Sequence, residues 1–103
     1  MIVDSHCHVS RDWYEPAEIL EAQMRRTGVA RAVLTQMLGC YDNEYLFACR
    51  DHASCRFTVV VGVQGSQPDA IERLDACVKR GAVGRRLRPT ARSPGNDPLA
   101  IWR

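Results

Sequence analysis

The sequence lacks the features of three common classes of protein: those with C-x-x-C zinc or redox motifs, those that span a membrane, and those with a secretory leader. The five cysteines never show the C-x-x-C spacing that is typical of zinc knuckles and redox motifs. No apolar run approaches the ~20 residues needed to span a bilayer. The first residues also lack the charged, apolar and small-residue segments of a secretory leader. We therefore expect a soluble, cytoplasmic protein whose cysteines are reduced and behave as small apolar core residues.

The sequence also has little excess charge of either sign. Its 14 basic residues are nearly balanced by 12 acidic ones, for a net charge of +2, which does not by itself indicate nucleic-acid binding. The basic residues near the C-terminus have no interleaved aromatic residues and match no known nucleic-acid-binding module. They are Lys79, Arg80, Arg85, Arg86, Arg88 and Arg92. We interpret them mainly as a solvated rim, and expect neither a nucleic-acid nor a membrane partner.

The hydrophobic pattern predicts an α/β fold. With 103 residues, 46% of them hydrophobic and 25% charged, the chain is an ordinary globular sequence that allows one domain at most. Strand patterns alternate with helical ones, and the connections are short. The strand patterns cover residues 1–9, 30–37, 57–63 and 83–88, and the helical patterns cover 15–28, 43–54 and 66–81. This alternation predicts right-handed βαβ units and a parallel sheet.

The helical patterns also predict which helix faces are buried. The first and third helices have apolar residues at helical spacing. These are Ala17, Ile19, Leu20 and Met24 in the first helix, and Ile71, Leu74 and Val78 in the third. Ser66 and Asp69 resemble a capping box, with Pro68 in the first turn, and so predict that the third helix begins at Ser66.

The first nine residues contain the clearest candidate for a functional site. In a strand, residues two apart point to the same face, so His6 and His8 would project together while Cys7 points the other way. Two imidazoles on one face at the end of a buried strand can bind one divalent ion such as zinc. The alternative is a half-buried or exposed strand whose histidines bind nothing. A catalytic zinc also needs about three protein ligands, so the pair alone does not complete a site.

Two aromatic residues follow this pair in a polar loop. Trp13 and Tyr14 lie directly after the candidate ligands, so they could stack on a substrate or close the pocket. The alternative is that they pack against the base of the loop. We take Trp13 as the candidate substrate-binding residue.

The C-terminal segment predicts the start of a fourth helix. Asp97 is a good N-cap, and Pro98 suits the first helical position. The chain ends at Arg103, about one turn later, and a helix of that length is not stable alone. We therefore expect residues 1–103 to be the N-terminal portion of a single longer domain, truncated at the start of the fourth helix.

Two segments resemble a known family. The opening MIVDSHCHV resembles the first strand of the metal-dependent amidohydrolase superfamily, in particular its amidohydrolase-related branch. That branch includes lactonases and aminocarboxymuconate-semialdehyde-decarboxylase-like enzymes. Residues 81–87, GAVGRRL, resemble the branch's fourth-strand pattern of a glycine, an apolar residue and then Arg-Leu. The resemblance covers the whole chain and implies about four βα units of a (β/α)8 TIM barrel, with the active site at the C-terminal ends of the strands.

The resemblance also implies roles for individual residues. His6 and His8 lie where the family has its first two metal ligands, and Arg86 matches an arginine that could hold an anionic substrate group. The implied chemistry is metal-activated water cleaving a lactone, amide or related bond of a small carboxylated substrate, with one divalent ion, zinc, as cofactor. Non-oxidative decarboxylation is the alternative, and some relatives need no metal. The family's other ligands and its catalytic aspartate lie on strands five to eight, so we expect no catalytic residue in this chain and no activity from it alone.

Two residues depart from the family pattern. His52, the remaining histidine, falls in the second helix far from any strand end, so we expect a surface or capping residue. Arg85 should point toward the helix layer, where the family has an apolar residue and where a guanidinium without hydrogen bonds would be costly.

A non-catalytic function is also compatible with the sequence. Half a barrel leaves the first and fourth strands with open parallel edges and an apolar sheet face. Such a chain could bind metal without turnover and self-associate through these edges.

Overall fold

A computed structural model describes residues 1–12, 14–53 and 55–87 of the chain. Strands and helices alternate strictly, as the hydrophobic pattern predicts. In chain order the elements are β1 (Ile2–Cys7), α1 (Ala17–Thr27), β2 (Val29–Thr35), α2 (Glu44–His52), β3 (Phe57–Val61), α3 (Ala70–Lys79) and β4 (Gly84–Arg85).

The four strands form one parallel sheet in the order β1-β2-β3-β4. A crossover follows each of the first three strands and returns the chain to the start of the next strand, so all four C-terminal ends meet at one edge. The sheet curls into half of a barrel, and this confirms the predicted fold class. Candidate functional residues at the ends of different strands are thereby placed at a common mouth.

The core lies between the sheet and the helices. Leu34 of β2 is level with Val59 of β3, and both are fully buried against the helix layer. Leu46 and Phe47 of α2 meet them from the helix side. The opposite face of the sheet lines the inside of the half barrel. It is less covered, and Thr58 is exposed there.

The predicted helix faces are only partly correct. Ala17 and Met24 of α1 are buried as expected, but Ile19 is exposed. In α3 the buried face is formed by Ala70, with Leu74 and Cys77 partly buried. Ile71 and Val78 lie on one flank of α3 and are 64% and 56% exposed, so their predicted burial is wrong.

The predicted start of the third helix is also wrong. Helix α3 begins at Ala70, and its N-cap residue Asp69 makes no side-chain capping bond. Its carboxylate instead accepts a 2.6 Å hydrogen bond from Arg73 one turn later. An ion pair within the helix has replaced the capping box that Ser66 and Asp69 predicted.

All five cysteines are free thiols, and Cys7 and Cys49 are buried in the core. Cys55 is exposed, however, so it is not a core residue. No described helix is both long enough and apolar enough to cross a membrane. The predicted fourth helix at residues 96–102 lies outside the described residues.

Candidate functional site

His6 in β1 and His8, the first residue after it, converge at the mouth of the half barrel. Cys7 is level with Leu34 and points into the core, so its neighbours His6 and His8 project from the other face, as the strand period predicts. Their Nε2 atoms lie 3.2 Å apart, and the rings meet edge to face with centroids 4.8 Å apart. The side chains are exposed at His6 and half-buried at His8.

A backbone carbonyl fixes the tautomer of His8. Its Nδ1 lies 2.8 Å from the carbonyl oxygen of Thr35, at the end of β2. A carbonyl only accepts hydrogen bonds, so Nδ1 carries the proton. In the neutral ring Nε2 then keeps a lone pair, which accepts the 3.2 Å hydrogen bond from the Nε2–H of His6. Metal-binding histidines are oriented in the same way, by donating their other N–H to a carbonyl or carboxylate. The lone pair of His8 therefore points toward the Nε2 atom of His6.

The spacing of the two nitrogens fits one shared metal ion. Two Zn–N bonds of about 2.0–2.1 Å at a tetrahedral angle separate the nitrogens by about 3.3–3.4 Å, close to the observed 3.2 Å. Imidazole is also a preferred zinc ligand. Within the described part of the chain, no group of three or more His, Cys, Asp or Glu side chains is placed to hold a metal. The described residues therefore offer two candidate ligands, and a complete zinc site would need at least one more.

Asp4 and Cys7 support the strand rather than extending the ligand set. The backbone N–H of His6 donates to the Asp4 carboxylate at 3.0 Å, and this bond, together with one from Cys7, lowers the pKa of Asp4. Burial, with a further contribution from Asp4, raises the pKa of the Cys7 thiol to about 12. Cys7 therefore remains a neutral thiol at physiological pH, directed away from the histidines, and is not a third ligand.

This difference in environment predicts an order of thiol reactivity. At pH 8 iodoacetamide should alkylate the exposed Cys55 first, whereas Cys7 should react at least tenfold more slowly because it is buried and protonated. The rate at Cys7 should rise with pH, since the thiolate fraction grows as pH approaches about 12. Peptide mapping by mass spectrometry over a time course measures both rates. Equal rates in the folded protein would contradict the placement of Cys7.

The arginines of β4 are held by carbonyls at the same edge of the sheet. Arg86 donates from Nη1 to the carbonyl oxygen of Gln36 at 2.9 Å, one residue after the carbonyl that holds His8. The two predicted site residues are thus tied to neighbouring positions at the end of β2. The remaining N–H groups of the Arg86 guanidinium are the means by which it could bind an anionic group.

Arg85 points toward the helix layer, as its alternation predicts. It is level with the buried Val61 of β3. Burial lowers the pKa of Arg85, and its Nε and Nη2 atoms donate to the carbonyl oxygen of Val63 at 3.3 and 2.9 Å. These bonds offset part of the cost of placing a guanidinium there.

Two further residues singled out in the sequence, Trp13 and His52, are not part of the described site. Trp13 lies outside the described residues. Its neighbour Tyr14 is exposed, and its ring centroid lies 6.1 Å from that of His8, at 89°. Tyr14 is therefore close enough to cover the candidate ligands. His52 is the last residue of α2 and is exposed, in agreement with a surface position away from the site.

A buried polar network below the mouth was missed by the sequence interpretation. Asn43, the N-cap residue of α2, donates to the carbonyl of Gly62 and accepts from the Gly62 N–H, both at 2.9 Å. Its Oδ1 also accepts a 3.2 Å bond from Gln36. The network joins the ends of β2 and β3 to the start of α2. An asparagine before a helix would ordinarily predict only a cap.

A cavity of about 570 Å³ opens beside this network. It lies between the loops that follow β1 and β2 and the first half of α2. Its lining includes Val9, Arg11, Gln36, Met37, Tyr41 and Tyr45. The Arg11 guanidinium carbon lies 5.3 Å from the centre of the Tyr45 ring. This cation–π contact holds the Arg11 side chain in the lining of the cavity. The volume is sufficient for a small organic ligand.

Comparison with known proteins establishes the fold. No protein-family model and no curated protein matches the sequence. Among solved structures, the chain resembles a probable 2-pyrone-4,6-dicarboxylic acid hydrolase from Acinetobacter baumannii, solved with citric acid bound. The TM-score is 0.70 at 19% identity, over 84% of this chain and 37% of that one. This fold is part of a (β/α)8 barrel.

A second solved structure gives the same result. It is an Agrobacterium tumefaciens protein in its apo form, with a TM-score of 0.61 at 22% identity over 92% of this chain and 38% of the other. The chain thus spans 37–38% of the length of the two chains it matches. In the partial barrel, the histidine pair and Arg86 lie at the C-terminal ends of strands, where barrels of this type place their active sites.

Proposed function

We propose that this chain is part of a metal-dependent hydrolase of the amidohydrolase superfamily, in which His6 and His8 hold one divalent ion. The observation that carries the proposal is the 3.2 Å approach of two imidazole Nε2 atoms at the C-terminal end of β1. When bound, zinc would supply a Lewis acid and a water that ionises near neutral pH. Further ligands and the general base would come from the rest of a complete barrel.

The residues of this chain would prepare the site for that ion. The Thr35 carbonyl holds the proton of His8 on Nδ1 and leaves Nε2 for the metal. The Asp4 carboxylate fixes the backbone of His6 through its N–H. Tyr14 would cover the ligands from solvent, since its ring already lies beside His8.

We further propose that the substrate carries a carboxylate that Arg86 binds. One structural neighbour is a probable dicarboxylic acid hydrolase with citric acid bound, and Arg86 has guanidinium N–H groups beyond the one that its backbone partner uses. Hydrolysis of a lactone is favoured over decarboxylation because that neighbour is a probable hydrolase.

The metal site can be tested first. The wild-type chain, stripped of metal and dialysed against zinc, should retain zinc by elemental analysis, whereas His6→Ala/His8→Ala should lose at least 90% of it, because both nitrogens are removed. His52→Ala is the matched control, since it removes an exposed imidazole from the end of α2. Equal zinc in all three proteins would refute the site, provided that circular dichroism shows the same fold in each.

The reaction class is tested with lactones that carry carboxylates, starting with 2-pyrone-4,6-dicarboxylate. Ring opening without release of CO2 would support the hydrolase, and release of CO2 would support the decarboxylase instead. Because the chain spans 37–38% of the matched chains, turnover is expected only where the remaining strands of the barrel are also supplied.

A further inference from the structure

Two consecutive carbonyl groups at the end of β2 hold the two halves of the candidate site. The Thr35 carbonyl accepts a hydrogen bond from His8 at 2.8 Å. The Gln36 carbonyl accepts one from Arg86 at 2.9 Å. The peptide that carries the Thr35 carbonyl is part of the sheet, because its N–H, on Gln36, donates to the Val60 carbonyl at 2.9 Å. Backbone pairing alone therefore fixes the acceptor of His8.

The next peptide lies beyond the strand, and a side chain holds it instead. Strand β2 ends at Thr35, and the peptide in question joins Gln36 to Met37. Its N–H, on Met37, donates to the Oε1 atom of the Gln36 side chain at 2.9 Å. This trans peptide is planar, so its N–H and C=O groups point in opposite directions. By fixing the N–H, the Gln36 side chain also orients the carbonyl that holds Arg86.

The Gln36 side chain is itself held rigidly. It is 5% exposed, and its Nε2 group donates to the Asp42 carbonyl at 2.8 Å and to Oδ1 of Asn43 at 3.2 Å. A primary amide has two N–H donors and one oxygen acceptor, so with the bond from Met37 all three are in use. The amide cannot turn without breaking a buried hydrogen bond, which would cost free energy.

The position of Arg86 depends strongly on this peptide. Within residues 1–12, 14–53 and 55–87, the Gln36 carbonyl is the one hydrogen-bond or ion-pair partner of the Arg86 guanidinium. A long arginine side chain otherwise retains much rotamer freedom. Loss of the oriented carbonyl would therefore release the guanidinium, although Gln36 and Arg86 are 50 residues apart in the sequence.

We propose that Gln36 is a positioning residue of the candidate site, whose side chain holds the Arg86 guanidinium in place for an anionic group of the substrate. This inference rests on the proposed role of Arg86 in substrate binding. The two halves of the site are then supported independently. The Gln36 side chain orients the cationic group, whereas the sheet, through the Thr35 carbonyl, orients His8.

Gln36→Met tests this role, because methionine has a similar length and volume but lacks the amide oxygen and both N–H groups. The measurement is the rate at which the Arg86 guanidinium rotates about its Nε–Cζ bond, obtained by NMR from exchange between its Nη signals. Rotation should be about fivefold faster in Gln36→Met than in the wild-type chain, since the guanidinium loses its oriented acceptor. An unchanged rate in a variant that circular dichroism shows to be folded would overturn the proposal.

The wild-type chain provides a second measurement, which does not depend on the stability of any variant. The Met37 amide should exchange with deuterium about tenfold more slowly than in an unfolded peptide, because Gln36 holds its N–H. The Arg86 guanidinium should also rotate about fivefold more slowly than that of Arg26, an exposed residue of α1. Unprotected exchange at Met37, or equal rotation of the two arginines, would overturn the proposal.

Selective loss of one half of the site distinguishes positioning from a general loosening of the fold. Gln36→Met should retain zinc within about twofold of wild type, because the sheet still holds the Thr35 carbonyl. Calorimetry should show that Gln36→Met and Arg86→Met each bind 2-pyrone-4,6-dicarboxylate about fivefold more weakly, and that the combined variant binds no more weakly still. Parallel loss of zinc and dicarboxylate, or additive losses in the combined variant, would overturn the proposal.

The proposed function can fail separately from this inference. If Arg86→Met leaves the dicarboxylate affinity unchanged, the substrate-binding role of Arg86 is refuted. If the wild-type chain retains no zinc, the metal site is refuted. In either case the rotation of Arg86 and the exchange of the Met37 amide still decide whether the Gln36 side chain positions the guanidinium.

Discussion

Gly62→Ala is expected to destabilise the chain by about 3 kcal/mol, a large fraction of the stability of a small domain. A Cβ at this position would collide with the backbone carbonyl oxygen of Cys40 and lie 3.0 Å from Cγ of Gln36. The carbonyl belongs to the loop after β2 and cannot move without displacing that loop. Gly62 is buried just after β3, so the added methyl group cannot turn toward solvent to avoid the clash.

Gly84→Ala is the matched control. It also adds one methyl group beside a strand, but the nearest atom would be Val60 Cγ2 at 3.5 Å, an ordinary contact. Urea unfolding followed by circular dichroism should show a large fall in midpoint for Gly62→Ala and a change within about 0.5 kcal/mol for Gly84→Ala. If the two variants unfold at the same midpoint, the loop after β2 does not press on Gly62 as described.

Features that depend on local periodicity could be predicted from the sequence. The alternation of strands and helices needs only the hydrophobic pattern and short connections, and the structure confirms both the alternation and the parallel sheet that it predicts. The common face of His6 and His8 needs only the two-residue period of a strand. The direction of Arg85 follows from the same period, and its level with the buried Val61 confirms it.

The buried face of α3 could not be predicted by the same means. A helical stripe identifies apolar residues that share a face, but not which flank the neighbouring elements cover. Residues Arg73, Ala76 and Arg80 line the groove toward α2, and Ile71 and Val78 lie on the opposite flank. In a longer barrel, a following helix would pack against that flank. Such a neighbour would account for the exposed stripe of Ile71 and Val78.

The environment of the candidate site also depends on contacts between distant parts of the chain. The carbonyl that orients His8 belongs to Thr35, 27 residues later, and the one that holds Arg86 belongs to Gln36, 50 residues earlier. No local pattern in the sequence encodes these pairings. The sequence indicated the candidate residues, and the fold adds the acceptors that determine their orientation.

Asn43→Ala is expected to cost about 3 kcal/mol, the second large effect. It would leave both the N–H and the carbonyl of the buried Gly62 without their side-chain partner, and each unsatisfied buried group costs about 1–3 kcal/mol. It would also remove one of the two acceptors of the Gln36 amide, leaving the Asp42 carbonyl. Gln64→Ala is the control, because it truncates an exposed amide near the same strand end and should change stability by less than about 0.5 kcal/mol.

Asn43→Asp separates the donor role of this side chain from its size. The introduced oxygen would face the carbonyls of Gly62 and Tyr41, which the Nδ2 group of Asn43 now contacts at 2.9 and 3.2 Å. Two acceptors repel when neither carries a proton, so folding would raise the pKa of the new carboxyl above its usual value of about 3.9. The stability of Asn43→Asp should therefore be higher at pH 5 than at pH 7, because the protonated carboxyl donates to a carbonyl. This stability is lost as the pH rises through the folded-state pKa. Urea midpoints at pH 7 and pH 5 measure the effect relative to wild type. A variant whose loss is the same at both pH values would show that the Nδ2 group does not hold the ends of β3 and α2 together.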